Sequence, residues 1–375
     1  MFIKELHLLN FRNYEREELQ FEPGICVIRG GNGQGKSNLL EAIYCLCFAR
    51  SFRNYKENDL VRWNSPYYYL RGTIFLQQRF YNLEVGYEVQ KKRKVVKIDG
   101  KAAKSAGLEG RCPLVCFVPE DLELIRRGPE ERRRFLDREI SQLYPLYGDW
   151  LRRYNRVVYQ KNRALKEKRQ LASHGDFLKV WNKQLVYFGS RIVKQRAHAV
   201  AAWGKLAARN YCHLFAAGPR LLLKYVTFLD KDLLTAQPEE IEAAFKVQLA
   251  SAAAEELQRG FSLVGPHRDD LSFLLDEREA RRYASHGQQR SAVIALKAAQ
   301  LQYYNQQKEK PVFILDDVFS ELDAQRRREC FNLFKDAGQV FLTMTEKEAA
   351  FATFLQQFAV SSVFHVQQGR VRKEE

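Results

Sequence analysis

Gly30-Gly31-Asn32-Gly33-Gln34-Gly35-Lys36-Ser37 satisfies the pattern G-x-x-x-x-G-K-[ST], the loop that cradles polyphosphate. The apolar run Ile25-Cys26-Val27-Ile28 precedes it, and Asn38-Leu39-Leu40-Glu41-Ala42-Ile43 opens a good helix behind it. Glycines let the backbone turn so that successive N–H groups converge on phosphate oxygens. The helix N-terminus adds the positive end of its dipole. Lys36 is therefore the candidate for the β- and γ-phosphates of ATP, and the Ser37 hydroxyl for Mg²⁺. Gly30, Gly31, Asn32, Gly33, Gln34, Gly35 and Asn38 complete the expected nucleotide-binding set. The bland alternative is a glycine-rich turn with an incidental lysine, which strand, loop and helix in register disfavour.

A second half of the site lies far along the chain. Val312-Phe313-Ile314-Leu315-Asp316-Asp317 is an apolar strand ending in two acids, the Walker B pattern. Such a strand in a parallel sheet delivers its acids at the carboxyl end, where ligands bind in α/β folds. Asp316 is expected to hold Mg²⁺ through water, and Asp317 to act as the catalytic acid that polarises the attacking water. Asp316 follows Lys36 by 280 positions, far more than a compact kinase or GTPase needs. Ser285-His286-Gly287-Gln288-Gln289 opens a helix just before Walker B in the manner of an ABC signature motif. Ser320-Glu321-Leu322-Asp323 follows as a D-loop. Ser285, Gly287 and Gln288 suit a γ-phosphate presented by a second subunit, so Ser285 joins Lys36 and Asp317 as a candidate catalytic residue.

The formal net charge is +16, and its location is informative. Residues 126–215 contain 21 Lys and Arg against 7 Asp and Glu, a net +14. A basic region so concentrated suggests a polyanionic partner. The same region reads as long helices, with apolar positions Phe177, Trp181, Leu185, Phe188 and Ile192 marking one helix face. That stripe is expected to be core between two antiparallel helices rather than a platform for bases. Seven cysteines, an odd number without zinc-like spacing, read as buried reduced thiols. No signal peptide or membrane-length apolar run is evident, so a cytoplasmic protein without membrane contact is expected. Arg12 and Tyr14 lie either near a nucleotide base or in an ordinary surface turn. The expected fold class is α/β: an ABC-type (SMC/Rad50-like) P-loop ATPase head, residues 1–120 and 216–375, with a projecting basic helical arm domain, residues 121–215.

Several stretches together resemble the RecF family of bacterial recombination mediators over essentially the whole chain. They are Leu9-Asn10-Phe11-Arg12-Asn13-Tyr14, residues 33–43, Pro119-Glu120-Asp121-Leu122, Arg132-Arg133-Arg134-Phe135-Leu136-Asp137, Gly265-Pro266-His267-Arg268-Asp269-Asp270, residues 285–290 and residues 315–323. The resemblance implies a head without a long coiled coil, an ATP-dependent homodimer, and sequence-independent binding of single-stranded and duplex DNA. It also implies slow DNA-stimulated ATP hydrolysis, partnership with RecR and RecO in loading RecA at gaps, replication restart and SOS induction. Three positions depart from the wider ABC pattern. Asp317 stands where most have Glu, no glutamine marks the Q-loop around residues 117–121, and Thr343 or Thr345 occupies the region of the switch histidine. A monomeric P-loop phosphotransferase acting on a small molecule is the competing reading; it gives Ser285 no role.

Overall fold

The computed structural model describes all residues except 54–55, 109–110, 169–176, 216–217, 308–309, 320–321, 323, 346–357 and 375. Contacts divide the chain into two compact units. The first comprises Met1–Leu122, Asn210–Ala216 and Arg290–Glu375. The second comprises Glu123–Arg209 and Ala217–Gln289.

The first unit contains two six-stranded sheets. One is antiparallel, in the spatial order Tyr14–Gln20, Phe2–Phe11, Tyr67–Leu76, Arg79–Glu88, Arg93–Ile98, Lys101–Ala102. Asp99-Gly100 closes the hairpin between the last two of these strands, with both residues at positive φ, as a tight primed turn requires. The other sheet runs Arg370–Glu374, Val360–Gln367, Gly24–Arg29, Gln339–Met344, Val312–Leu315, Leu114–Phe117. Its neighbours are parallel except for the first pair. The central strands are buried on both faces, which explains their unbroken apolar runs. Helix Lys36–Phe48 packs against both sheets, and every residue from Leu39 to Phe48 is buried. A helix apolar all round belongs inside a core, and this one starts at the phosphate loop.

The second unit is built on helices Pro129–Leu143, Pro145–Lys168, Phe177–Leu214 and Pro238–Arg259, with a three-stranded antiparallel sheet of Leu221–Val226, Asp270–Leu275 and Arg278–Glu279. Residues 217–289, assigned to the head on sequence grounds, group here instead. The reason is non-local pairing: Leu221–Val226 bonds to Asp270–Leu275, and Pro238–Arg259 packs on Pro145–Lys168. The aromatic stripe also divides. Leu185 and Ile192 are fully buried, as expected of core, but Trp181 and Phe188 are only half-buried. The side chain of Phe177 and the turn at residues 172–176 lie outside the described residues.

Two motifs far apart in sequence meet in this unit. Arg132 makes a bidentate pair with Asp270, at 2.6 and 2.8 Å. Arg133 donates to the Asp269 carbonyl at 2.8 Å. The buried Arg196 donates to Asp137 at 2.7 Å and to the Pro266 carbonyl at 2.6 Å. The basic cluster 132–134 and the segment 265–270 thus form one packing junction.

Nearby, Lys161 and Glu256 form a 2.6 Å ion pair with both side chains buried. Glu256 also accepts from the Ser262 hydroxyl and the Leu263 N–H. Removing one partner of such a pair strands a buried charge, at a cost of about 3–5 kcal/mol. Glu256→Ala is expected to destabilise the helical unit by about that amount in urea titrations. The double change Lys161→Met with Glu256→Leu should recover part of the loss, because it removes both desolvated charges while still leaving the Ser262 hydroxyl and Leu263 N–H without their acceptor.

Candidate nucleotide site

The phosphate loop begins where Gly24–Arg29 leaves the sheet. Gly30 has φ 152°, and a Cβ there would sit 2.2 Å from the Val366 carbonyl oxygen. Gly35 has φ 119°, and a Cβ would meet Asn13 at 2.6 Å and the Tyr14 hydroxyl at 3.0 Å. Only glycine fits either position. The loop is braced from the antiparallel sheet. Tyr14 is buried and its hydroxyl donates to the Gly35 carbonyl at 2.9 Å, while Asn13 donates to the Gln34 carbonyl at 3.0 Å. Arg12 reaches the fully buried Glu41 of the following helix at 2.8 Å. Arg12 and Tyr14 are therefore not an ordinary surface turn; they hold the loop and its helix.

Lys36, Ser37, Asp316 and Asp317 line one cavity of about 310 Å³, together with Arg53 and Thr343. The Lys36 ammonium donates to the carbonyls of Gly30 and Gly31 at 2.8 and 2.9 Å. The Ser37 hydroxyl donates to Asp316 Oδ1 at 2.9 Å. Thr343 donates to the same oxygen at 2.8 Å and accepts the Asp317 N–H at 2.9 Å. Burial raises the pKa of the Asp316 carboxyl, while the two hydroxyls and Arg53 oppose that rise. Asp317 is exposed at the cavity, with its backbone left-handed at φ 50°. Its carbonyl and that of Val318 accept from Arg290, whose distance to Val318 is 3.1 Å.

Sequence reading left the region of the switch histidine open between Thr343 and Thr345. Both line the cavity, and Thr343 is bonded to both acids. Arg53 lies in the basic stretch from Arg50 to Lys56. Its guanidinium faces Glu120 at 3.3 Å, Glu41 at 3.7 Å and Asp316 at 3.9 Å, and donates to Asn38 at 3.2 Å. Nothing local in the sequence distinguishes it from its basic neighbours. Ser285, Gly287 and Gln288 belong to the second unit. There the Ser285 N–H donates to Gln288 Oε1 at 2.9 Å and the Gln288 N–H to Ser285 Oγ at 3.3 Å, a reciprocal cap on helix His286–Gln307. Ser285 and Gly287 are exposed. Of the expected D-loop, residues 320, 321 and 323 lie outside the described residues. Among the described residues, no cluster of three or more His, Cys, Asp or Glu could hold a metal, and no helix is long and apolar enough to cross a membrane. The cysteines at 26, 45, 47, 112, 116 and 330 are buried free thiols, whereas Cys212 is exposed.

The family model "RecF/RecN/SMC N terminal domain" matches residues 2–371. A DNA replication and repair protein RecF of Desulfitobacterium hafniense is 39% identical over 355 residues, covering 93% of this chain and 94% of the relative. Its counterpart in Natranaerobius thermophilus is 36% identical over 383 residues, covering 100% and 98%. Among solved structures, a recombination mediator protein RecF with ATP superposes with a TM-score of 0.89 at 32% identity, covering 100% of this chain and 98% of that one. An Smc head bound to the C-winged helix domain of ScpA gives 0.56 at 14% identity and shares the fold alone. Fold and site together define an ABC-type P-loop ATPase head of the SMC-like class. Within that class, the chain belongs to the RecF family.

Thr343 ties both Walker B acids to the neighbouring strand. Thr343→Val leaves the Asp317 N–H unbonded and removes one donor from Asp316, a loss of about 1–3 kcal/mol. Nucleotide binding is expected to need several-fold more Mg²⁺ in this variant, measured with a fluorescent ATP analogue across a Mg²⁺ titration. Thr343→Ser keeps the hydroxyl and should behave like the wild type.

Proposed function

We propose that this chain is an ATP-dependent DNA-binding switch of DNA replication and repair. On this reading the first unit is the ATPase head and the basic helices of the second are the DNA-contacting arm. The observation that carries the reading is the convergence of Lys36, Ser37, Asp316 and Asp317 on one cavity, while Ser285 caps an exposed helix start in the other unit. An exposed helix N-terminus with a serine hydroxyl and a glycine suits the γ-phosphate of ATP held by a second copy. Two ATP molecules would then be sandwiched in an isologous homodimer, each contacting both protomers. ATP binds the dimer better than the monomer for that reason, and hydrolysis releases it.

The residues fit a magnesium ion. The Ser37 hydroxyl and the Asp316 carboxylate are hard oxygen donors 2.9 Å apart, facing the loop that receives phosphate. When bound there, Mg²⁺ supplies charge neutralisation between the β- and γ-phosphates. Lys36 exchanges its loop carbonyls for phosphate oxygens. Gly30 to Asn38 supply backbone and side-chain donors, and Asp317 orients the attacking water. A carboxylate one methylene shorter than Glu, on a backbone held by Thr343 and Arg290, supports slow turnover, with DNA as its stimulus.

RecF relatives are described as acting in DNA replication and repair and in a RecFOR pathway. Recombinational gap repair, replication restart and SOS induction are accordingly the proposed setting, with RecR and RecO as partners and the cytoplasm as the compartment. Sequence-independent contact with phosphates of single-stranded or duplex DNA follows from the net +14 of residues 126–215.

Sedimentation of the wild type and Ser285→Arg, each with and without Mg²⁺–ATP, tests the switch. The wild type is expected to shift from monomer to dimer with nucleotide, and the variant to remain a monomer. An ATP-bound monomer in both would leave a P-loop phosphotransferase as the better reading. DNA affinity should fall with log salt at a slope of roughly −4 to −5, if about five phosphates are neutralised. A slope near zero would remove the DNA-binding part.

A further inference from the structure

We propose that a cavity between the two longest helices of the second unit receives an unpaired base of a nucleic-acid strand. The inference rests on the DNA-binding reading and deepens it, because it assigns the arm a preference for unpaired over paired strands. The cavity, of about 450 Å³, lies between Pro145–Lys168 and Phe177–Leu214. That is within the ~300–1,000 Å³ range of small-molecule sites. Arg153, Arg156 and Gln160 line it from the first helix; Trp181, Gln184 and Phe188 line it from the second.

Packing explains why the cavity exists. Leu185 and Ile192 are fully buried. Trp181 and Phe188 share that side of the helix but stay half-open, seven residues or ~10 Å apart along the axis. Facing them, the adjacent helix presents two arginines and a glutamine around one buried apolar residue, Val157. The stripe is therefore core at two positions and wall at two others.

The wall chemistry selects the ligand. Two aromatic side chains offer π-faces to a planar group, and every base has such a face. The Arg153 guanidinium, held by Asp149 at 2.9 Å, already lies 5.9 Å from the centre of the Phe188 ring. Arg156 has no ion-pair partner among the described residues and can meet a phosphate. Gln160 and Gln184 add neutral amide donors and acceptors, which suit base edges. Among the described residues, no acidic side chain lines the cavity. An acidic peptide would satisfy the arginines but leave the aromatic faces and both amides unused. Bases within a duplex are already stacked and paired, so only an unpaired one can enter.

The test uses the full chain with fluorescein-labelled oligo(dT) and a labelled duplex of the same length, both at low salt. Trp181→Ala is expected to weaken oligo(dT) binding about tenfold or more, within the effect of losing one aromatic stack. Duplex affinity should change less than about twofold, the margin of a surface substitution that leaves phosphate contacts intact. Trp181→Phe keeps an aromatic face and should retain most of the oligo(dT) affinity. Oligo(dT) should quench tryptophan fluorescence in the wild type and much less in Trp181→Ala. Unchanged oligo(dT) binding in Trp181→Ala would overturn the proposal, and so would equal losses on oligo(dT) and duplex. Polyglutamate that binds the wild type but not Trp181→Ala, with DNA binding unaltered, would assign the cavity to an acidic protein instead. A wild type that binds neither nucleic acid would defeat the DNA-binding reading itself, a separate outcome from failure of the cavity.

Discussion

The nucleotide site depends on one buried carboxylate oxygen. Asp316 Oδ1 accepts hydrogen bonds from Ser37, 279 residues before it, and Thr343, 27 after it, so three segments are tied at a single atom. A buried carboxylate without donors would take up a proton rather than remain charged. The two hydroxyls and the Arg53 guanidinium oppose that tendency. Sheet order makes the arrangement possible. Gln339–Met344 lies between the phosphate-loop strand and the Walker B strand, with Thr343 opposite Ile28 and Leu342 opposite Leu315. A residue one step beyond Leu342 therefore arrives beside the first residue beyond Leu315. The third strand thus carries a positioning hydroxyl to the acids that the other two strands bring together.

That dependence also explains what could be read in the sequence. Gly30 to Ser37 is legible because its chemistry is local: each glycine answers a steric demand within a few residues of itself. The strand ending at Asp316 is legible because burial on both faces leaves an unbroken apolar run. Thr343 is not legible in the same way. A threonine inside a β-strand is ordinary, and only the register with Leu315 gives it a role. Tyr14 and Arg12 are hidden for the same reason, since they reach the phosphate loop and its helix from another sheet. Arg53 is one cation in the basic stretch from Arg50 to Lys56, and only its three carboxylate neighbours distinguish it.

The helical unit shows a second limit of sequence reading. Charge and periodicity locate its helices, but they do not show which later strands complete it. The pairing of Leu221–Val226 with Asp270–Leu275 brings residues 265–270 back to arginines 132, 133 and 196. The periodic stripe from 177 to 192 identifies a helix face without revealing what lies opposite. Arg153 and Arg156 on the neighbouring helix turn part of an apolar face into the wall of a cavity.

Asp317 brings these threads together. Its side chain is exposed while its backbone is held on both sides, through its N–H by Thr343 and through its carbonyl by Arg290. Arg290 belongs to the helix whose first turn contains Gly287 and Gln288 and is capped by Ser285. An α-helix rises ~1.5 Å per residue and is stiff over so short a span. Arg290, at the start of the second turn of that helix, is thus the side chain that clamps the backbone of Asp317 and Val318. An aspartate has one side-chain torsion fewer than a glutamate, so on a clamped backbone the direction of the Asp317 carboxylate follows the backbone more closely.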